Sequence, residues 1–480
     1  MNLITRDNVV PAIDSRFHRY LTSEEYELRT VPAKSLMSPN RVDIYIKYQL
    51  IKAWYEESAS PGDNGYYEQL YLKTIKLFTR NRFTEPGDSD KSSSRDYLVQ
   101  FNGLLKSIAS NYDKSLGLVP VSEDGVPLDG AHRIAILALL DIDVEIVVIP
   151  KASAKYDLNH FKLNGANDSI LYELAIIMSE LEESLRLAII WPNGISSLPE
   201  ICQLYNERTI YSYSLKLDRL GVNNLCSIAY KNEEWVGGID KSWSGAYRKG
   251  KQCFGKGGKT TFILYESYSQ DQDIAIKEKI RSFSGGTKHS IHSTDNSNET
   301  LELLFVTFHT SSSAILNNID LSVLSRVITP IKEYMDTLKL SPFIFTGSIV
   351  MELFSIRKAN DIDVFTLNDY CTLPDVYGDH NDYLGIYGKT LSDYENNPTI
   401  VYNIMGFKFI SLEELLSFKA NRNEKKDIID VKLINRFRYK NGISKFEYKM
   451  KIKDHMFFLK LNLKRYRKLI KKKIKILIKK

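Results

Sequence analysis

Cysteine is scarce in this chain of 480 residues: Cys202, Cys226, Cys253 and Cys371 stand far apart, with no Cys-x-x-Cys spacing. That excludes a disulfide framework or a zinc ribbon and points to reduced, structural thiols in a cytoplasmic protein. A secretory leader and a bilayer-spanning apolar run are also missing, because Met1-Asn2-Leu3-Ile4 gives way at once to charged and polar sequence. No short-period repeat is visible. No two histidines have the i, i+4 spacing with which a helix presents zinc ligands. A phosphate cradle of the Walker A type is absent too. In Gly255-Lys256-Gly257-Gly258-Lys259-Thr260-Thr261 one residue separates Gly255 from Gly257, and an apolar strand-like run follows where a helix is required. A hairpin turn is the better reading.

The composition, 43% hydrophobic and 26% charged, is that of a soluble globular chain, and the length corresponds to about three domains. The net charge of +6 is unevenly placed. Residues 451–480 hold thirteen Lys/Arg against one acid, Asp454, so the tail carries +12 and the body −6. As a helix, this tail of interleaved aliphatics and lysines suits an anionic membrane surface, each base contributing about 1 kcal/mol there. Nucleic-acid binding is the competing use of such charge and a solubilising tail the plainest one. The membrane surface is favoured, and the segment is too charged to span.

The most informative segment is Phe343-Ile344-Phe345-Thr346-Gly347-Ser348, followed after a short helical stretch by Asn360-Asp361-Ile362-Asp363-Val364-Phe365. Asp361 and Asp363, one residue apart on an apolar strand, point to the same face, where two carboxylates hold a divalent metal. Gly347-Ser348 lies where a strand turns into a helix, a place for backbone and hydroxyl donors to meet a phosphate. This pattern resembles the nucleotidyltransferase superfamily of the DNA polymerase-beta type. The resemblance implies Asp361 and Asp363 as catalytic metal ligands for Mg²⁺ or Mn²⁺, with Gly347 and Ser348 binding the phosphates of a nucleoside triphosphate.

Active members of that superfamily usually add a third carboxylate from a later strand. Here the next apolar run, Thr399-Ile400-Val401-Tyr402-Asn403-Ile404-Met405, has no acid, and Asn403 at that place cannot accept a proton. Asp375, Asp379, Asp382 and Glu395 in the polar loop before it are substitutes among which spacing does not choose. Downstream, Ser411 reads as an N-cap with Glu414 closing a capping box. Lys419 and Arg422 then fall one helical turn apart, placed to meet substrate phosphates or to lie on a salt-bridged surface.

A second motif is Asp129-Gly130-Ala131-His132-Arg133, between a strand at 117–122 and a helix at 134–140 with a strand at 144–149 beyond. A glycine at a helix start lets backbone donors approach a phosphate closely, and the His and Arg that follow can clamp it. The box resembles the ParB and sulfiredoxin superfamily, whose members include CTP-binding partition proteins, an ATP-using sulfinic acid reductase and an amino-acid kinase. The resemblance implies a nucleotide-phosphate site at Gly130 and His132, with Asp129 as a base or metal-helping acid and Arg133 as a charge stabiliser. Sulfiredoxin chemistry needs a cysteine in the box, and none is there. DNA partition needs a helix-turn-helix array, and none follows.

Between the two motifs, residues 165–325 read as an α/β domain of their own. Within them Arg281, Lys288, His289, His292 and Asp295 are expected to gather near the N-terminus of a helix containing Glu299, as an anion or sugar-phosphate site. The alternative is a capped helix with surface histidines.

The expected architecture is therefore an α/β (α+β) multidomain chain. A ParB/sulfiredoxin-like domain spans 1–160, the α/β middle domain 165–325, a nucleotidyltransferase-like domain 326–445 and the basic tail 446–480. In its overall arrangement the chain looks like uncharacterised bacterial proteins of surface-polysaccharide clusters. The leading function is Mg²⁺-dependent nucleotidyl or phosphoryl transfer to a sugar, polyol or glycan, in the cytoplasm or at the inner membrane surface. A nucleotide-responsive membrane scaffold with a degenerate transferase fold is the alternative, and nucleic-acid modification the third class.

Overall fold

The computed structural model describes residues 2–56, 61–63, 65–80, 82–84, 91–111, 117–255, 258–284, 286–331, 343–367 and 374–441. The basic tail 446–480, Cys371, Lys256 and Gly257 lie outside the described residues, as do the expectations placed on them. The protein is mixed α/β, with three small sheets among the described residues instead of one large one. No helix among those residues is long and apolar enough to cross a membrane. The chain divides into two compact units, Met1–Asn317 with Leu391–Phe407, and Asn318–Thr390 with Lys408–Lys480.

The first unit contains two sheets. One runs in the order Asn2–Thr5, Glu25–Pro32, Asp143–Val148, Val119–Val121. Val119–Val121 and Asp143–Val148 are parallel, so a crossover must join them, and the apolar helix Ala131–Leu139 provides it. Gly130, at φ +77°, takes the left-handed conformation that starts this helix. The second sheet is antiparallel, in the order Thr209–Lys216, Lys259–Glu266, Leu185–Ile190, Ile291–Ser293. Leu185–Ile190 is buried at nearly every residue, as a central strand covered on both faces must be.

Residues 1–160 and 165–317, expected in separate domains, fall within this single unit, while 318–325, expected with the middle domain, fall in the second. The helix Asp168–Leu181 explains why: its run from Leu171 to Ser179 is buried all round. A helix apolar on every side must be covered on every side, and this one packs on Val42–Glu56 and on Ser297–Thr307. One expectation fails here. A hairpin turn was expected in the glycine-rich segment, but the described elements on its two sides are the helix Ala246–Phe254 and the strand Lys259–Glu266, not two paired strands. That helix is hard to read because Gly250 interrupts its pattern. A Cβ at Gly250 would stand 2.9 Å from Asn223 Cα, so the glycine allows close packing on the helix Arg219–Ala229.

In the second unit the wholly buried strand Phe343–Thr346 is central. Ile362–Thr366 pairs with it antiparallel and Phe407–Ile410 parallel, while Tyr377–Asp379 extends the sheet beside Ile362–Thr366. The helices Leu412–Arg422 and Lys425–Lys440 follow. Ser411 caps the first as expected, its Oγ accepting from the Glu414 N–H at 3.2 Å, and Asn423 at φ +51° ends it.

Buried charge in the first unit is concentrated at Arg41, Asp43 and Lys47, each about 3% exposed. Arg41 donates to both carboxylate oxygens of Asp43, at 2.9 and 3.1 Å, and also to the Pro127 carbonyl; Lys47 donates to Asp43 at 2.9 Å. Burial alone would push the Asp43 carboxyl up, but Arg41 and Lys47 outweigh it and hold it well below the usual carboxylate range. Asp43→Ala leaves two buried cations without their shared anion and is expected to cost about 3–5 kcal/mol. Urea unfolding of the variant checks this, and a loss under about 1 kcal/mol would contradict it.

Candidate functional site

The strand Phe343–Thr346 delivers Gly347 at φ +64° and ψ −144°. In the antiparallel register Asp363 lies directly opposite Thr346, which brings its carboxylate against the turn. A Cβ on Gly347 would stand 2.1 Å from Asp363 Oδ2, so no other residue fits there without displacing that carboxylate. Ser348 Oγ donates to Asp361 Oδ1 at 3.0 Å. Gly378, opposite Asp363 on the other neighbouring strand, is close as well: a Cβ there would meet Asp363 Oδ1 at 3.0 Å. The four residues of the sequence motif thus meet at one place, with Asp361 exposed and Asp363 half-buried.

Burial, and then the neighbouring Asp361 carboxylate, push Asp363 up to about 6, against the opposing influence of Lys419, Lys426 and Arg422. A carboxylate pair in this state has negative charge that its own surroundings leave uncompensated, which is the property a divalent cation would relieve. Among the described residues no group of three or more His, Cys, Asp or Glu is arranged for a metal. Two carboxylates nonetheless fit a hard cation of the Mg²⁺ type, which takes one or two protein carboxylates and fills its remaining positions with water and substrate phosphate.

His380 was not anticipated from the sequence. It is buried, and its Nε2 lies 3.5 Å from Asp363 Oδ1. Burial and the nearby Arg422 push it down to about 4, so it is neutral at pH 7 and meets Asp363 as an uncharged imidazole. The signal available was a histidine directly after the short Tyr377–Asp379 strand, which a search restricted to carboxylates passes over. Of the substitute acids, Asp379 lies on that strand and accepts from the Asn381 N–H at 2.9 Å, while Asp375 and Asp382 are exposed. Glu395 and Asn403 belong by residue to the first unit.

Lys419 and Arg422 are engaged with carboxylates. Lys419, 3% exposed, reaches Asp430 at 2.8 Å and Asp427 at 3.3 Å. Arg422 makes a two-pronged contact with Asp427 at 2.9 Å and lies 4.7 Å over the Phe418 ring. Arg357 holds Asp430 through two bonds of 2.7 Å. The expected cationic face exists, but it is a buried network that fixes the two C-terminal helices and acts on Asp363 and His380 through its field.

At the other motif, Arg133 donates to the carbonyls of Gly117 and Leu118 at 2.9 and 3.2 Å, fixing the entry to the strand. His132 meets the Tyr71 hydroxyl at 2.9 Å and packs edge-on against Phe101. Although the residue keeps some surface, burial of the ring, with Lys47 nearby, holds its pKa well below the usual histidine value. Asp129 is the accessible member and pairs with Arg16 at 3.2 Å. Directly beneath, Arg41 grips the Pro127 carbonyl, which ties the box to the buried Asp43 cluster.

Arg281, Lys288, His289, His292 and Asp295 are brought together: all five line one cavity of the first unit, of about 1330 Å³. His292 Nε2 contacts Glu299 at 3.0 Å, and Glu299 also accepts from the Asp295 N–H at 2.8 Å. Asn296 caps the helix, accepting from the Glu299 N–H at 2.9 Å.

No family model, no curated protein and no solved structure matches the chain.

The raised pKa of Asp363 has a consequence for stability. The folded carboxyl keeps its proton up to about pH 6, whereas an unfolded aspartate loses it near pH ~4. Between those values the folded state binds the extra proton, so stability falls as pH rises through the window. In thermal unfolding of the metal-free protein, the wild-type midpoint is expected to drop relative to Asp363→Asn between about pH 4 and pH 6. Parallel curves across the whole range would contradict that.

Proposed function

We propose that the protein is a Mg²⁺-dependent nucleotidyl- or phosphoryl-transferase whose centre is built by Gly347, Ser348, Asp361 and Asp363. The observation that carries this is the approach of Asp363 Oδ2 to the Gly347 turn, where a Cβ would come within 2.1 Å. The turn sets a half-buried carboxylate directly beside main-chain atoms at the start of a helix, an arrangement that suits a site for a cation and a phosphate together. Asp361 and Asp363 would hold the cation, which supplies charge neutralisation for a phosphate when bound. Ser348 fixes the Asp361 carboxylate through its 3.0 Å hydrogen bond, and Gly347, lacking a Cβ, leaves room for the Asp363 carboxylate beside the turn. The neutral His380 beside Asp363 adds no positive charge to compete with the cation.

The nucleoside triphosphate as donor, and a sugar, polyol or glycan as acceptor in bacterial surface-polysaccharide synthesis, are part of the same proposal and rest on the resemblance of the motifs. A nucleotide-binding protein without turnover is the second reading, favoured by one observation: no third carboxylate accompanies the pair among the described residues.

Purified full-length protein incubated with nucleoside triphosphates, Mg²⁺ and a panel of sugar phosphates separates the two readings. The transferase reading expects Mg²⁺-dependent product that falls by at least about 100-fold in Asp361→Asn and in Asp363→Asn. Mg²⁺-dependent nucleotide binding without product supports the second reading. Equal nucleotide binding when both aspartates are replaced, with no product from any acceptor, sinks the transferase reading.

A further inference from the structure

The large cavity of the first unit has no role in the reaction proposed above, yet it has the features of a ligand site. Its walls come from the helices Arg219–Ala229, Ala246–Phe254, Gln270–Phe283 and Ser297–Thr307, with the strand Ile291–Ser293 between them. At about 1330 Å³ it exceeds the roughly 300–1,000 Å³ usual for a drug-sized ligand.

Its lining contains six lysines and arginines against four carboxylates. Two of these cations are locally satisfied, Lys231 on Glu302 at 2.7 Å and Lys277 on Asp295 at 3.5 Å, and the His292 ring meets Glu299 at 3.0 Å. The other cations of the lining are Arg248, Lys249, Arg281 and Lys288. Lys249 donates to the Lys288 backbone carbonyl and lies 5.2 Å over the Tyr230 ring. Burial holds the Lys249 ammonium below the usual lysine value, and Arg281 and Lys288 add to that. Arg281 uses Nη1 on Glu278, leaving its Nε buried without a hydrogen-bond partner, and His289 Nδ1 is in the same condition. Buried donors and acceptors are seldom left unpaired in a folded protein, and each such atom calls for an unseen partner.

A second feature is aromatic. Trp235 lines the cavity and is 46% exposed, while Trp54, Trp191 and Trp243 are all buried. Its ring lies 5.5 Å from Tyr230, which in turn meets His292 edge-on at 4.7 Å. An open indole beside surplus positive charge suits a ligand with a ring at one end and phosphate at the other.

We propose that this cavity binds a ring-bearing phosphate ester of nucleotide-sugar size, with Arg281, Lys288 and His289 holding its phosphates and Trp235 its ring. The proposal does not depend on the reaction at Gly347 and Asp363.

The test uses full-length protein and three probes, UDP-glucose, glucose 1-phosphate and inorganic pyrophosphate, followed by calorimetry and tryptophan fluorescence without Mg²⁺. UDP-glucose is expected to bind most tightly and to change the fluorescence, a change that disappears in Trp235→Phe. Lys288 is exposed, so Lys288→Glu carries little folding risk and is expected to weaken binding by about tenfold. Trp235→Ala is expected to weaken UDP-glucose and glucose 1-phosphate while leaving pyrophosphate unchanged. Asp361→Asn with Asp363→Asn should bind all three like the wild type, which separates this site from the proposed transferase centre. The proposal is overturned if none of the probes binds, if Lys288→Glu binds as the wild type does, or if only the aspartate replacements weaken binding.

Discussion

The approach of the Asp363 carboxylate to the Gly347 turn is the constraint on which the second unit depends. Three local facts produce it together. The buried strand Phe343–Thr346 fixes where the turn begins, the antiparallel register fixes Asp363 opposite Thr346, and only a residue without Cβ leaves room for the carboxylate. Gly378 repeats the device from the neighbouring strand. With glycines on both neighbouring strands and the His380 ring at 3.5 Å, the acid is closely enclosed. That enclosure removes water without adding a cation in contact, so the carboxyl is raised to about 6 although three basic residues lie near enough to oppose it.

The basic residues that would quench that charge are held back. Lys419, Arg422 and Arg357 are committed to Asp427 and Asp430 on the following helix, so the network is largely neutralised within itself. The first unit uses the same device at Arg41, Asp43 and Lys47, where two cations share one buried anion under the Asp129–Arg133 box. In both places buried charge is paired and fixes geometry. The cavity lined by Arg281 and Lys288 is different, because there the cationic groups outnumber the carboxylates.

Much of this was legible in the sequence because it depends on short spacings. Period-two placement put Asp361 and Asp363 on one face, a glycine before an apolar helix marked the Gly130 turn, and a cluster of polar residues within fifteen positions marked the Arg281-to-Asp295 wall. What was not legible depends on partners distant along the chain. The carboxylates that engage Lys419 sit eight and eleven residues on, across a helix break at Asn423. Asp43 and Lys47, one turn apart, have the spacing of an ordinary surface ion pair, and only the packing of Val42–Glu56 shows them to be buried. Tyr230, Trp235 and Lys249, which complete the cavity, come from segments about forty to sixty residues before His292. His380 was not legible because the superfamily pattern has a third acid near the pair, and what the fold places beside Asp363 is an imidazole. The one-unit association of residues 1–317 was hidden in the helix Asp168–Leu181, whose largely apolar sequence does not say what covers it.

The central claim is that Asp361, Asp363 and the Gly347-Ser348 turn form a joint site for a divalent metal and a phosphate. Crystals grown with Mn²⁺ and a non-hydrolysable nucleoside triphosphate, measured for anomalous scattering, test it directly. A manganese peak between the two carboxylates is expected, with a phosphate oxygen on the same ion and the Gly347 backbone beside it. Nucleotide density elsewhere with no manganese between Asp361 and Asp363 would contradict it.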